Sequence, residues 1–205
     1  MSPIVKVCGM RDAQNIREVE SISIDLMGFI FWPKSSRYVS ERPAYLPKCK
    51  RVGVFVNEDI ERVKHTANDY ALNLIQLHGN ESPDYVKQLR EWEIIKAFNI
   101  ASADDLKQTR AYEGLANYFL FDTKGRSVGG NGEKFDWSVL DSYHGDTPFL
   151  LSGGIGPEDA ALLNHWQHPQ CIGFDINSRF EQVPGIKDIN KIRTFINTIR
   201  QHESN

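Results

Sequence analysis

The chain has 205 residues, of which 40% are hydrophobic and 25% charged, and its formal net charge is −3. This composition is typical of a globular protein with a hydrophobic core, and the small negative charge argues against a nucleic-acid partner. No apolar run approaches the roughly 18 residues of a membrane-spanning helix, and the first residues lack the pattern of a signal peptide. Cys8, Cys49 and Cys171 are too few and too scattered for a disulfide framework or a zinc site. We therefore expect a reduced, cytoplasmic protein that binds neither membranes nor metal.

Eight short runs rich in β-branched and aromatic residues recur along the chain, starting roughly 20 to 30 residues apart. Each run predicts a strand, and the spacing is typical of a repeated strand–helix unit. The predicted strands cover residues 4–8, 23–31, 51–56, 71–77, 93–98, 117–122, 148–153 and 171–176.

Most of the segments between these runs have helical patterns. In residues 57–70, for example, Ile60, Val63 and Ala67 repeat at three- and four-residue steps. The predicted helices cover residues 12–21, 57–70, 82–92, 102–113, 156–166 and 188–201. Pro43 and Pro47 interrupt the segment between the second and third strands, which predicts a short or irregular second helix.

Strands that alternate with helices pair in parallel. Eight such units without a linker predict one closed (β/α)8 TIM barrel over residues 1–205, of minimal length for this fold. A doubly wound open sheet is the alternative, but it usually has fewer strands, and no GxGxxG motif follows the first run.

Barrel enzymes place their active sites at the carboxyl ends of the strands. Cys8 ends the first predicted strand and Asp122 ends the sixth. Further polar residues or glycines follow strands four, seven and eight: His78, Ser152, Gly153, Gly154, Asp175, Asn177 and Ser178. Residues that are distant in the sequence are thus predicted to meet at one rim.

Two stretches at this rim predict a phosphate site. "LSGGIGPED" (151–159) places two glycines after strand seven, and "GFDINSRFE" (173–181) places Asn177 and Ser178 after strand eight. Glycine loops let backbone N–H groups approach an anion, although two glycines alone could form only a tight turn. Cys8 and Asp122 lie on opposite sides of the predicted mouth, where an acid and a base could act on a substrate between them. With no metal cluster or cofactor motif in the sequence, we predict cofactor-free proton transfer on a phosphorylated sugar.

The chain resembles the phosphoribosylanthranilate isomerase family of tryptophan biosynthesis along nearly its whole length. The matching stretches are "KVCGM" (6–10), "GFIFWPKSSRYVS" (28–40), "VGVFVNE" (52–58), "IQLHGNES" (75–82), "FDTKGRSVGGNGEKFDW" (121–137), "LSGGIGPED" (151–159) and "GFDINSRFEQVPGIKD" (173–188). The resemblance implies a (β/α)8 barrel. It also implies the Amadori rearrangement of N-(5-phosphoribosyl)anthranilate to 1-(2-carboxyphenylamino)-1-deoxyribulose 5-phosphate, with this substrate as the partner and no cofactor.

Family roles follow position by position. Asp122 matches the general acid that protonates the ring oxygen, and Cys8 matches the general base at C2′. Arg37 matches the arginine that holds the anthranilate carboxylate. Gly154, together with Asn177 and Ser178, matches the phosphate cradle, and Gly153, His78 and Asp175 complete the expected substrate-binding set. We expect a monomer.

Some questions remain open at the level of sequence. Lys6 points the same way as Cys8 on strand one and could favour the thiolate, or it could form a structural pair with Asp175. His78 could line the pocket or only support a loop. The chain also departs from the commoner family pattern at Asn131, Gly156, Arg179 and Phe180.

Three other functions compete with this prediction. A related sugar isomerase of histidine biosynthesis would be expected to have Asp where Cys8 stands. A sugar-phosphate epimerase would need metal-binding His and Asp residues at several strand ends. A non-catalytic sugar-phosphate-binding barrel would have no reason to keep both Cys8 and Asp122.

Overall fold

Eight parallel strands close into a barrel in the computed structural model, which describes residues 2–123 and 136–201. Each strand pairs with the next, and the first pairs with the last, so the predicted (β/α)8 barrel is confirmed. The strands are β1 (Ile4–Val7), β2 (Leu26–Ile30), β3 (Lys50–Phe55), β4 (Leu74–Leu77), β5 (Glu93–Ile100), β6 (Tyr118–Thr123), β7 (Phe149–Ser152) and β8 (Cys171–Ile176). The open-sheet alternative is wrong. That residues 1–205 form one domain stays a prediction.

Apolar side chains fill the barrel near the amino-terminal ends of the strands, and charged side chains lie nearer the carboxyl ends. The buried apolar layer consists of Leu26, Val52, Leu74, Ile95, Ala97, Leu120 and Leu150. In the register of β1 with β8, Lys6 lies directly beside Asp175. A second, larger core packs the outer faces of the strands against the helices.

Five α-helices surround the barrel in the described residues: α1 (Ala13–Glu20), α2 (Ile60–Asp69), α3 (Pro83–Lys87), α4 (Ala160–His165) and α5 (Ile189–Ile199). Side chains cap the first turns of α1 and α3: Asp12 accepts from the Asn15 N–H and Ser82 from the Tyr85 N–H. None of the helices in the described residues is long and apolar enough to cross a membrane.

Two predicted helical regions take another form. Residues Ala103–Tyr112 form a 3₁₀ helix, in which only Leu106 and Thr109 are buried, so little packing favours a regular amphipathic helix. Residues 31–49, all described, contain no helix and add only an isolated bridge between Ile30 and Tyr38. The Glu20 carboxylate of α1 accepts hydrogen bonds from the Tyr45 hydroxyl and from the Lys48 and Cys49 N–H groups. These two backbone N–H groups therefore have a side-chain acceptor in place of a carbonyl within a helix.

A small antiparallel hairpin follows β8 and was not predicted. It consists of β9 (Glu181–Val183) and β10 (Ile186–Lys187). The hairpin places two buried charged side chains, Glu181 and Lys187, beside the mouth of the barrel.

Candidate active site

A cavity of about 200 Å³ opens at the carboxyl ends of the strands. Eight of the nine predicted site residues line it, all except Arg37: Cys8, His78, Asp122, Gly153, Gly154, Asp175, Asn177 and Ser178. The convergence of a thiol, a carboxyl group, an imidazole and a glycine loop on one small cavity makes it the candidate active site.

A larger cavity of about 430 Å³ opens at the opposite end of the barrel. Its lining is mostly apolar, and two of its charged residues, Lys50 and Glu93, pair with each other at 3.1 Å. Barrel active sites lie at the carboxyl ends of the strands, so the smaller cavity is the better candidate.

Cys8 lies immediately after β1, and its side chain is 4% exposed. Its amide donates to the Ile176 carbonyl at 3.0 Å, which fixes the thiol at the floor of the cavity. Burial raises the pKa of the thiol, and the neighbouring Lys6 ammonium offsets this only in part. Lys6 thus favours the thiolate, as expected, but burial of the thiol outweighs it.

Lys6 forms a buried ion pair with Asp175. Its Nζ lies 2.8 Å from Asp175 Oδ1, and the two side chains are 0% and 6% exposed. The second carboxylate oxygen accepts from the Ser152 hydroxyl at 3.1 Å. The structural pair is thus present, and the Asp175 charge also raises the pKa of Cys8.

Asp122 lies across the cavity from β1, near the end of β6, and is partly exposed. His78 Nε2 lies 3.4 Å from Asp122 Oδ2, and Gln76 Nε2 lies 3.0 Å from His78 Nδ1. The imidazole therefore faces the cavity beside the carboxyl group, and Gln76 holds its far side.

The loop after β7 has a backbone that strongly favours glycine. Gly153 and Gly154 have φ values of +94° and +67°, in the left-handed region. A Cβ on Gly153 would lie 2.3 Å from the Thr123 carbonyl oxygen, whereas one on Gly154 would meet nothing within 4 Å. This loop and the Asn177–Ser178 segment line one side of the cavity, where backbone groups can approach a bound anion.

A family model described as N-(5'phosphoribosyl)anthranilate (PRA) isomerase matches residues 5–198.

The chain belongs to this family.

Two relatives named N-(5'-phosphoribosyl)anthranilate isomerase are each 49% identical to it. The protein from Parabacteroides distasonis aligns over 96% of this chain and 93% of its own. The protein from Phocaeicola vulgatus aligns over 97% and 98%. The crystal structure of phosphoribosyl anthranilate isomerase from Thermotoga maritima has a TM-score of 0.82 at 31% identity, covering 97% of this chain and 99% of that one. The predicted isomerase of tryptophan biosynthesis is confirmed at the level of the family.

Arg37 is the predicted site residue that lies apart from the cavity lining. In this isomerase its guanidinium binds the Glu181 carboxylate, with Nη2 2.6 Å from Oε2. Glu181 also accepts from Lys187 Nζ at 2.7 Å. Sequence reasoning missed Glu181 and Lys187. The available signal was that both charged residues lie in the matching stretch 173–188, at and after the end of strand eight.

Three of the four departures from the commoner family pattern lie beside the candidate phosphate loop. Gly156 begins a 3₁₀ turn, where its N–H donates to Asp159 at 2.8 Å, and Arg179 pairs with Glu158. Phe180 is fully buried and packs edge-on against Phe195. Asn131 lies outside the described residues.

The described residues contain no group of three or more His, Cys, Asp or Glu side chains that could hold a metal ion.

Proposed function

We propose that the protein catalyses the Amadori rearrangement of N-(5'-phosphoribosyl)anthranilate, with Asp122 as general acid and Cys8 as general base. The observation that carries this proposal is that both side chains line one cavity, together with the glycine loop after β7. An acid and a base on opposite sides of a small substrate match a reaction that opens a ring and then moves a proton.

In the first step, Asp122 gives its proton to the ring oxygen of the ribose. The bond between C1′ and that oxygen breaks, and the lone pair of the anthranilate nitrogen forms a C=N bond. The product of this step is an open-chain, positively charged Schiff base.

In the second step, the Cys8 thiolate takes the proton from C2′. The electrons of that C–H bond form a C=C bond, and those of the C=N bond return to nitrogen. The resulting enolamine then tautomerises to the ketone product. No external oxidant or reductant is needed, because one carbon is oxidised as its neighbour is reduced.

The raised pKa of Cys8 fits this order of events. Burial raises the pKa of the Cys8 thiol and so favours its neutral form. A Schiff-base cation beside it would add a positive charge to that of Lys6 and favour the thiolate. The proton that the thiol releases passes through water to the Asp122 carboxylate, and the thiolate takes the C2′ proton, so both groups end the sequence protonated as they began.

The ends of the substrate have separate partners in this proposal. Arg37 binds the anthranilate carboxylate, while Gly153, Gly154, Asn177 and Ser178 bind the phosphate. His78 and Asp175 contact the sugar from their places in the cavity lining. A structure 30% identical to this chain is titled as the isomerase in complex with reduced 1-(o-carboxyphenylamino)-1-deoxyribulose 5-phosphate, which supports a ligand of this shape.

The deciding experiment is an assay of product formation from freshly prepared phosphoribosylanthranilate. We expect turnover by the purified chain without added metal or cofactor. Turnover of the corresponding histidine-pathway substrate instead would favour the rival isomerase, and binding without turnover would favour the non-catalytic barrel. The monomeric state and the cytoplasmic location stay predictions, and sedimentation of the purified chain would check the first.

A further inference from the structure

Four side chains form a continuous series of hydrogen bonds along the rim of the barrel. Arg37 donates to Glu181 through Nε at 2.8 Å and through Nη2 at 2.6 Å. Lys187 Nζ donates to Glu181 Oε1 at 2.7 Å and to Asn177 Oδ1 at 2.7 Å. One carboxylate thus joins the arginine proposed for the substrate carboxylate to the asparagine proposed for the phosphate.

The two central members of this series are almost completely buried. The side chains of Glu181 and Lys187 are 4% and 0% exposed, whereas that of Arg37 is 19% exposed. Burial alone would raise the pKa of the Glu181 carboxyl, but the hydrogen bonds from Arg37, Lys187 and the Gly185 N–H hold it below its ordinary value. Glu181 is therefore a charged acceptor whose oxygens are already occupied.

Lys187 has no donor left for a ligand. An ammonium group has three N–H bonds. They go to Glu181 Oε1, to Asn177 Oδ1 and to the Asn177 carbonyl at 3.3 Å. A lysine that is fully buried and fully hydrogen-bonded cannot contact the phosphate itself, but it can determine how its partner does so.

That partner is the Asn177 amide. Because Oδ1 accepts from Lys187, the Nδ2 group is directed elsewhere, and Asn177 lines the cavity. A Cβ on Gly9 would lie 2.8 Å from Oδ1, so the oxygen faces the backbone of the loop after β1. In the opposite amide orientation an oxygen would face the phosphate, and two acceptors would repel each other.

The Arg37 end is fixed in a similar way. A guanidinium has five N–H donors. Glu181 takes one on Nε and one on Nη2, and the Ser36 hydroxyl takes one on Nη1 at 3.3 Å. Two donors remain for a substrate carboxylate, one on each terminal nitrogen, which is the arrangement of a two-bond clamp.

We propose that Glu181 and Lys187 are positioning residues, which orient Arg37 toward the carboxylate and Asn177 toward the phosphate of one substrate. The proposal rests on the proposed function, which supplies the two anionic ends. A purely structural role would not distinguish the two anions, whereas this proposal predicts for each residue whether the affinity for the phosphate or for the carboxylate changes.

Equilibrium titration with two simple probes tests this proposal without turnover. Inorganic phosphate probes the Asn177 end and anthranilate probes the Arg37 end, each followed by NMR chemical shifts. We expect Lys187→Met to weaken phosphate binding about tenfold, as for the loss of one charge-assisted hydrogen bond, and anthranilate binding by less than about twofold. Glu181→Gln should weaken both, and in the assay each variant should raise the KM more than it lowers the kcat.

The matched control breaks an ion pair at the other end of the barrel. Asp25 Oδ2 pairs with Arg200 at 2.6 Å, so Asp25→Asn removes the charge from a more exposed ion pair far from the cavity. It should leave both titrations unchanged.

A double-mutant cycle separates orientation from the loss of a positive charge. If Lys187 acts through Asn177, Asn177→Ala should weaken phosphate binding in the wild-type chain but hardly at all in Lys187→Met. Additive effects, or a wild-type phosphate affinity in Lys187→Met, would overturn the proposal. If Glu181→Gln does not fold, Lys187→Met still decides, because it keeps the Arg37–Glu181 pair. A wild-type chain that binds both probes but forms no product would refute the proposed function instead.

Discussion

The Cys8 thiol lies against the backbone of Gly28 on the neighbouring strand. A Cβ atom on Gly28 would be 2.8 Å from Sγ and 3.1 Å from the Cα of Cys8. Real Cβ atoms essentially never lie as close as 2.8 Å to another heavy atom, so the thiol occupies its place only because β2 carries no side chain there.

We predict that Gly28→Ala displaces the thiol and lowers the kcat roughly 100-fold, because a shift of about 1 Å in a catalytic group can cost that much. The kcat measured well below the melting temperature checks this. In a Cys8→Ala background the added methyl group should destabilise the fold less, as seen by thermal unfolding. An equal loss of stability in both backgrounds would show that the methyl group meets something other than the thiol.

Asp122→Asn should lower the kcat by roughly 10²–10⁴-fold, because the ring oxygen then leaves without a proton donor. The KM should change little, since the amide keeps the shape of the side chain. Asp136→Asn is the matched control: Asp136 caps a short 3₁₀ helix by accepting from the Ser138 N–H at 3.0 Å and should leave the kcat unchanged. An Asp122→Asn enzyme with most of the wild-type kcat would refute the assignment of the acid.

Cys8→Ser should abolish proton abstraction while the chain still folds, because an unassisted hydroxyl is hardly ionised at neutral pH. Cys49→Ser and Cys171→Ser are the controls, since burial raises the pKa of both thiols to about 11 and neither lines the cavity. The pH–rate profile should lose its thiol limb only in the Cys8 variant. Wild-type activity in Cys8→Ser would show that Cys8 is not the general base and serves only in packing.

The charges around Cys8 should shift its titration in opposite directions. Removing the anion in Asp175→Asn favours the thiolate and lowers the pKa of the thiol, whereas removing the cation in Lys6→Met raises it. The pH midpoint of iodoacetamide alkylation at Cys8, read by mass spectrometry, measures both shifts. Shifts of the same sign would mean that the Lys6–Asp175 pair acts on the thiol only through packing.

Asp175→Asn should also destabilise the fold by about 3–5 kcal/mol, because it leaves the Lys6 ammonium buried without its anion. The double variant Lys6→Met/Asp175→Asn should lose less free energy of unfolding than Asp175→Asn alone, since neither buried charge then remains. Denaturant unfolding of the three variants checks this order. An Asp175→Asn chain as stable as the wild type would contradict it.

The sequence predicted the strands well because each is a short apolar run bounded by turn residues. It also predicted the rim, because the carboxyl ends of parallel strands meet wherever the barrel closes. Residues 31–49 were less predictable, since their backbone partners include the Glu20 carboxylate, which is distant in the sequence. The pairing of Arg37 with Glu181 could not be predicted for the same reason. Glu181 is 144 residues away in the sequence, and the hairpin after β8 brings the two together.

The pairing of β1 with β8 has a consequence for synthesis of the protein. Lys6 and Asp175 are 169 residues apart, so the ammonium that leaves the ribosome early has no counter-ion until the eighth strand emerges. A barrel closed by the first seven strands would bury that charge alone, at a cost of several kcal/mol. The β1–β8 pairing that closes the barrel is therefore also the contact that gives the ammonium its counter-ion and the thiol its surroundings.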